Sequence, residues 1–227
     1  MSTTPVRPLA PWIKTHDRLV FERPYPGIRP RTVAPTILAG HWTGGEGGAD
    51  RVFEALRTRT DADGKPSPLS VQFVIDPDAE TWQFCDLDKV VCYHAGAIND
   101  RSLGVEIVNR GLAPALGRRY RDTIDDLTVH GKRVKQLAYS QAQLDAWCRL
   151  SDLVCSTYGI PRQVPGKPDG SISDAVMTRP ERAAWRGVLE HLHVARTKTD
   201  GGTQLSRALV SHGYAAMPPS KLVGSVR

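Results

Sequence analysis

Residues 102–109 read SLGVEIVN, a short run that is apolar except for one carboxylate. Its length and its β-branched side chains predict a buried strand over 103–108. Burying a carboxylate without a partner is costly, so Glu106 either pairs with a cation or faces a site. Strand alternation also allows a third reading, in which Glu106 lies on a solvated face opposite Val105 and Ile107. The residues alone leave these alternatives open.

Three further segments predict strands that could join the same sheet. Residues 36–39 form an apolar run that ends at His41. Residues 70–75 are followed by the turn sequence Asp-Pro-Asp at 76–78, and 81–84 then forms the returning strand of a hairpin. All three predicted strands therefore precede the strand at 103–108 in the sequence.

The clearest helix begins at Ser140, which forms a capping-box pattern with Gln143. Gly159 can end this helix in the left-handed conformation, and Pro161 prevents its continuation. Shorter helices are expected from Asp50, as the N-cap, through about Arg59, and over 179–185. Strands and helices alternate irregularly, which predicts a single α/β domain with a central mixed β-sheet flanked by helices.

The chain divides into three parts by composition. Residues 1–35, rich in proline and arginine, are expected to form an irregular arm. Residues 36–215 form the domain, and 216–227 a loose tail. The domain contains a polar insertion at 110–138, in which 129–134 could form a small hairpin with glycine at its turn.

Charge and length limit the classes of partner and compartment. The 227 residues carry a net charge of +6, which favours an anionic partner such as nucleic acid, a membrane face or a cell-wall polymer. Basic residues are not interleaved with aromatic ones in a block, so we expect no nucleic-acid module. No apolar run spans a bilayer, and residues 1–11 lack the apolar core of a signal peptide. We expect a monomer made in the cytoplasm without membrane insertion, which would reach the periplasm or wall only by release or export.

The cysteines indicate free thiols. The chain has four, none in a CxxC pair, and this fits a reducing compartment.

Two stretches, besides Glu106, carry residues that could bind a metal. His41 ends a predicted strand next to a glycine-rich loop, and imidazole is a good ligand for zinc. His191, His193, Lys198 and Asp200 lie within ten residues of one another. Two nitrogen ligands, one carboxylate and an open position for water are typical of catalytic zinc. The alternative is that these are exposed loop histidines and a surface charge pair.

The order of the sequence elements is more specific than any one of them. The elements are His41-Trp42-Thr43, residues 70–75 (SVQFVI), His94-Ala95-Gly96, residues 102–106 (SLGVE), Tyr158-Gly159-Ile160-Pro161, and His191 through Lys198-Thr199-Asp200. This combination resembles the N-acetylmuramoyl-L-alanine amidase type 2 family over roughly residues 36–205. The resemblance implies hydrolysis of the amide bond between N-acetylmuramic acid and L-alanine in peptidoglycan or muropeptides.

The resemblance also implies a role for each matching residue. Zinc would be held by His41, His191 and Asp200 in a cleft at one edge of the sheet. Glu106 would move the protons, and Lys198 would stabilise the oxyanion. The residues expected to contact substrate are His94, Thr43 and Asn99.

Three positions depart from the family pattern. Glu190 stands where glycine usually precedes the ligand histidine, which keeps His193 a rival to His191. Gly201 stands where proline usually follows the aspartate. Val71 replaces a tyrosine found in two branches of the family, so the resemblance assigns the proton transfer to Glu106.

Two other functions are possible on the same fold. One is a non-catalytic module that binds peptidoglycan, and the other is a regulatory partner that binds a protein. The survival of three candidate ligands and Lys198 favours the enzyme. Phage endolysin, recycling amidase and antibacterial effector all remain open as settings.

Overall fold

The structure is a computed structural model that describes residues 6–22, 24–111 and 123–223, with side chains except at 123–126. Its strands are β1 (Ile28–Pro30), β2 (Ile37–Trp42), β3 (Phe73–Ile75), β4 (Thr81–Gln83), β5 (Val90–Cys92), β6 (Ser102–Ile107), β7 (Thr123–Val129), β8 (Lys132–Leu137), β9 (Gln163–Pro165), β10 (Gly187–Glu190) and β11 (Ala215–Met217). Its helices are α1 (Ala49–Arg57), α2 (Gln141–Tyr158), α3 (Arg179–Ala184), α4 (Gln204–Ser211) and α5 (Ser220–Val223).

A five-stranded mixed sheet in the order β10-β2-β6-β3-β4 forms the centre of the domain. The first four strands are parallel, and β4 pairs antiparallel with β3. The predicted α/β class with a mixed sheet flanked by helices is therefore confirmed. Strand β10 was not foreseen as a strand, and it is the edge strand beside β2.

The two faces of the sheet have different tasks, because successive side chains of a strand point to opposite faces. On one face, Val105 and Ile107 of β6 pack in the core cluster that includes Trp147 and Val154 of α2. The alternate residues of β6, including Glu106, lie on the other face. The register pairs Glu106 with His41 of β2, so both side chains belong to that second face.

Helix α2 begins and ends as the sequence predicts. Ser140 accepts a hydrogen bond from the backbone N–H of Gln143, and the Gln143 side chain accepts one from the backbone of Ser140. Gly159 ends the helix at φ 61°, in the left-handed region. The caps set the ends of α2, and its buried apolar residues, which include Trp147 and Val154, form the face that meets the sheet.

Helix α1 begins two residues earlier than predicted. The N-cap is Gly48, in an extended conformation, and Asp50 lies within the first turn. A carboxylate there still interacts favourably with the helix dipole, which explains why the sequence pattern points to Asp50. The helix ends at Arg57, whereas the pattern predicted about Arg59.

The insertion contains a longer hairpin than the predicted one at 129–134. Strands β7 and β8 pair antiparallel, and the turn residues His130 and Gly131 have φ of 52° and 76°. Positive φ at both turn positions suits the twist of a tight hairpin. Residues 112–122 of the insertion lie outside the described residues.

The terminal segments also contain secondary structure. Strand β1 pairs with β5, and Phe21 is buried in a cluster with Phe53 and Phe84. Towards the C-terminus, β11 pairs with β9. All four cysteines are free and buried, as predicted. None of the helices in the described ranges has the length and apolar character needed to cross a bilayer.

Candidate functional site

The candidate site lies at the carboxyl ends of three neighbouring parallel strands. His41 lies near the end of β2, and Glu106 lies opposite it on β6. His191 follows the last residue of β10, the other neighbour of β2. Asp200 comes from the loop that precedes α4. The sheet topology therefore brings together four of the residues that the sequence singles out.

His41, His191 and Asp200 form a compact group of donor atoms. Oδ2 of Asp200 lies 2.9 Å from Nδ1 of His41 and 2.8 Å from Nδ1 of His191. One ligand atom from each residue lies within 4.8 Å of the other two. Two imidazole nitrogens and one carboxylate are the donors that catalytic zinc sites use, so this group is a possible metal site that fits zinc.

The charges in this group also suit a cation. Burial lowers the pKa of His41 to about 4, helped by the nearby His191, so the ring is neutral near pH 7. A neutral imidazole is the form that binds metal. Burial alone would raise the pKa of Asp200, but its hydrogen bonds with His191 and His41 outweigh burial and lower the pKa. Asp200 is therefore an anion at the centre of the group.

The structure distinguishes His191 from its rival His193. The ring of His193 is fully buried away from the group. Its Nε2 donates to the carbonyl of Ser173 (2.9 Å), and its Nδ1 accepts from the backbone N–H of Glu190 (3.1 Å). Both ring nitrogens of His193 are thus used to join loops, whereas His191 belongs to the possible metal site.

His94 connects the possible metal site to β6. Its Nδ1 lies 3.0 Å from Nε2 of His41, and its Nε2 lies 3.0 Å from Oγ of Ser102. Because the carboxylate of Asp200 only accepts, Nδ1 of the neutral His41 ring carries the hydrogen. Nε2 of His41 then accepts from Nδ1 of His94, and Nε2 of His94 accepts from the Ser102 hydroxyl. A Cβ at Gly104 would lie 2.7 Å from the His94 ring, so glycine is needed where this ring crosses β6.

The predicted substrate residues are not all in one place. His94 and Thr43 line the same pocket as the candidate metal ligands. Asn99 lies on the 3₁₀ turn Gly96–Arg101, and its Oδ1 accepts from the backbone N–H groups of His94 (3.2 Å) and Ala95 (2.7 Å). Asn99 therefore shapes the loop that holds His94.

The pocket has a volume of about 210 Å³ and is open to solvent. Burial, together with the charge of Asp200, raises the pKa of Glu106 well above its usual value, and Lys198 opposes this shift. Oε2 of Glu106 is buried and has no hydrogen-bond partner among the described residues. Lys198 is exposed. The lining residues are His41, Trp42, Thr43, Gly44, Leu56, Leu69, Ser70, Val71, His94, Glu106, His191, Lys198 and Asp200.

A smaller recess of about 100 Å³ adjoins the pocket. The two share Thr43, Leu56 and Glu106, and the recess extends along α1 past Arg51 and Val52. Glu106 therefore stands between two spaces that could each receive part of a substrate.

Two residues with contacts at the site were not predicted from the sequence. Glu190, noted only as a departure from the family pattern, is buried beneath the loop that carries Asp200. His130, at the turn of the insertion hairpin, donates from Nε2 to the backbone carbonyl of Lys198 (2.8 Å). A charge at the end of an apolar strand was the available indication for Glu190, whereas nothing local indicated His130.

Solved structures with a similar fold are known. One is a selenomethionine derivative of AmpD, with 18% identity, a TM-score of 0.52, and coverage of 88% of this chain and 95% of that one. AmpDH3 from Pseudomonas aeruginosa has 19% identity, a TM-score of 0.50, and coverage of 80% and 61%. At such identities the likeness shows the fold.

A third similar structure is the complex of the peptidoglycan recognition proteins LCa and LCx with tracheal cytotoxin. It has 11% identity, a TM-score of 0.51, and coverage of 89% of this chain and 96% of that one. We found no match to this sequence among curated proteins. The sequence model of the N-acetylmuramoyl-L-alanine amidase family matches residues 31–203, which is most of the chain, and the chain therefore belongs to that family.

Proposed function

We propose that this protein is a zinc-dependent hydrolase of the N-acetylmuramoyl-L-alanine amide bond in peptidoglycan or muropeptides. The observation that carries the proposal is the convergence of His41, His191 and Asp200 in one pocket with Glu106 and Lys198. Membership of the amidase family supports the same bond. We expect the protein to act as a monomer on this substrate, without nucleic acid.

The metal would be held by His41, His191 and Asp200. When bound, zinc would polarise the scissile carbonyl as a Lewis acid. His94 would hold His41 in orientation through its 3.0 Å contact, because partners of this kind fix the ring and the tautomer of a ligand histidine.

Glu106 would act as the general base and then as the general acid. Its Oε2, for which the described residues provide no hydrogen-bond partner, would accept a proton from the attacking water and later deliver it to the leaving L-alanine amine. Lys198, exposed at the pocket, would stabilise the negative charge that develops on the carbonyl oxygen. Val71 lines the pocket but has no ionisable group, which leaves the proton transfer to Glu106.

A binding module without catalysis is the second candidate. The complex of peptidoglycan recognition proteins with tracheal cytotoxin has this fold and favours it. A module that only binds has no use for a base next to a metal group. The retention of both in this pocket supports the enzyme.

The test is mass analysis of purified peptidoglycan after incubation with the zinc-loaded protein. We expect stem peptides released with a free L-alanine amino group. Glu106→Gln keeps the shape of the side chain, and we expect turnover to fall by about 10²-fold or more because the base is lost. Zinc content should be unchanged.

Glu54→Gln is the matched control, because Glu54 is an exposed residue of α1 that pairs with Arg57. Its turnover should equal that of the wild type. If the zinc-loaded wild type binds muropeptide but releases no peptide, the binding module is correct. Loss of zinc from Glu106→Gln would instead show that the metal ligands are misassigned.

A further inference from the structure

Glu190 is a buried carboxylate beside the proposed metal site. It is the last residue of β10 and directly precedes His191. Only 1% of its surface is exposed, although β10 otherwise consists of glycine, valine and leucine. A buried carboxylate persists only when hydrogen bonds compensate for the lost water, so its partners reveal its task.

The start of α4 supplies three hydrogen bonds to this carboxylate. Oε2 accepts from the backbone N–H of Thr203 (2.8 Å), and Oε1 accepts from the backbone N–H of Ser206 (3.0 Å) and from the Ser206 hydroxyl. Thr203 is the N-cap residue of α4, but its own side chain makes no capping bond. Glu190 therefore caps α4 from another strand, where a negative charge also suits the helix dipole.

Gly201 gives the carboxylate its space. Gly201 follows Asp200 directly and has a φ of 93°. A Cβ at this position would lie 2.5 Å from Cβ of Glu190 and 2.5 Å from its Oε2. Any larger residue would push Glu190 and the loop apart. Glu190 and Gly201, the two departures from the family pattern in this region, are thus in direct contact. The larger side chain is on β10, and the residue without a side chain is on the loop.

This contact joins the two chain segments that carry the proposed ligands. Glu190 is one residue from His191, and Gly201 is one residue from Asp200. The backbone N–H of Leu192 also donates to the carbonyl of Asp200 (3.3 Å). The bond from Thr203 to Glu190 adds a shorter attachment (2.8 Å) on the C-terminal side of Asp200.

We infer that Glu190 is a positioning residue, which sets the place of Asp200 relative to His41 and His191 by tying Thr203 to β10. Gly201 is its steric partner. The inference rests on the proposed function, because it takes Asp200, His41 and His191 to be the metal ligands.

The experiment compares Glu190→Gln with Ser206→Ala. Glutamine keeps the volume but has one acceptor oxygen, so it cannot satisfy both Thr203 and Ser206, and its amide N–H₂ would face a donor. Ser206→Ala removes one hydrogen bond to the same carboxylate on the α4 side and leaves the bond from Thr203. Ser206→Ala therefore tests the loss of one contact that caps α4, whereas Glu190→Gln tests the loss of the bond that ties Thr203 to β10.

Zinc affinity by chelator competition and the absorption spectrum of the cobalt-loaded protein are the main measurements. We expect Glu190→Gln to bind zinc about 10- to 100-fold more weakly, with a changed cobalt spectrum, as for other partners that orient a ligand. Ser206→Ala should stay within about threefold of the wild type with the same spectrum. Equal zinc affinity and spectra in Glu190→Gln and the wild type would overturn the inference.

Hydrogen exchange of the metal-free protein separates this inference from the proposed function. Faster exchange at residues 200–206 in Glu190→Gln than in Ser206→Ala supports the tie to the loop, whether or not zinc binds. Equal exchange in the two variants overturns it. A wild type that binds no zinc and cleaves nothing would overturn the proposed function alone.

Discussion

Asp76 is a buried carboxylate in the turn between β3 and β4, away from the proposed site. Burial raises its pKa to about 6, against a hydrogen bond from the indole of Trp82 (2.9 Å) that lowers it, and Asp78 and Glu80 add to the rise. Its Oδ1 has no hydrogen-bond partner within the described ranges. Ionisation of Asp76 therefore lowers the free energy of unfolding.

We predict that Asp76→Asn stabilises the protein at high pH. Folding raises this pKa from 3.8 to about 6, so the folded state binds the proton more tightly than the unfolded state. The stabilisation from the protonated carboxyl is complete below pH 3.8 and is lost as the pH rises through about 6. After allowance for partial exposure, the variant should gain about 1 kcal/mol at pH 8 and almost nothing at pH 4.

Urea unfolding at the two pH values measures this difference. Asp78→Asn, an exposed carboxylate in the same turn, should show no comparable gain. A gain that is the same at pH 4 and pH 8 would mean that ionisation of Asp76 is not its cause.

At the level of single residues, sequence order was enough to identify the candidate ligands but not their partners. His41, His191 and Asp200 come from a recognisable order of segments. His191 and His193 stand two residues apart in one 3₁₀ turn, so only the direction of the backbone decides which ring reaches the group. The role of Glu190 depends on its contacts with α4, which are long-range and leave no local pattern.

Among the elements, the insertion hairpin is the one whose task the sequence did not indicate. The turn between β7 and β8 is held by Asp174, which accepts from the backbone N–H groups of His130 (3.0 Å) and Gly131 (2.7 Å) through its carbonyl and its carboxylate respectively. The His130 ring then contacts the carbonyl of Lys198. The hairpin thus holds the segment that contains Lys198, the residue proposed to stabilise the oxyanion.

We predict that His130→Asn lowers kcat by about tenfold, because a small displacement of Lys198 weakens its transition-state contact. Asparagine tolerates the φ of 52° at this position but is too short to replace the ring, so backbone strain is avoided. KM and zinc content should not change. Steady-state kinetics on a soluble muropeptide measure the effect.

Lys132→Ala, an exposed residue of the same hairpin, is the control and should keep the wild-type kcat. Lost zinc binding in His130→Asn, or a kcat equal to that of the control, would show that the hairpin does not position Lys198.

Helices and strands were predicted accurately where the residues that determine them are close together in the sequence. Helix α2 was predicted at both ends because Ser140, Gln143 and Gly159 act through neighbours in sequence. Strand β10 was missed because Gly187 and Glu190 leave only two apolar residues between them, too few to form a recognisable apolar run. The start of α1 was misplaced because Gly48 caps it without a side-chain bond.

For the whole molecule, the proposed ligands connect parts of the fold that are far apart in sequence. His41 belongs to β2, an interior strand of the sheet, and His191 follows the edge strand β10. Asp200 belongs to the loop before α4. Helix α4 packs through Leu205 and Leu209 on the face of the sheet opposite Glu106. The class of fold could be predicted from the order of strands and helices, but this convergence depends on strand order, which local patterns do not give.

We therefore predict that zinc stabilises the entire domain and not the loop alone. A ligand that binds only the folded state stabilises it by about 4 kcal/mol at a free concentration 1,000 times its Kd. For a chain of this length, such a gain corresponds to a rise in Tm of roughly 8–16 °C. Calorimetry with excess zinc, and again after chelation, measures the rise and its reversal.

Asp200→Asn is the informative variant for this measurement. The amide can still accept a hydrogen bond from one of the two histidines, so the metal-free fold should persist, but the anionic ligand is lost. Its Tm should then be nearly independent of zinc. If zinc raises the Tm of this variant as much as that of the wild type, the ion binds elsewhere. If zinc does not raise the Tm of the wild type at all, the group of His41, His191 and Asp200 is held together by its own hydrogen bonds and not by a metal.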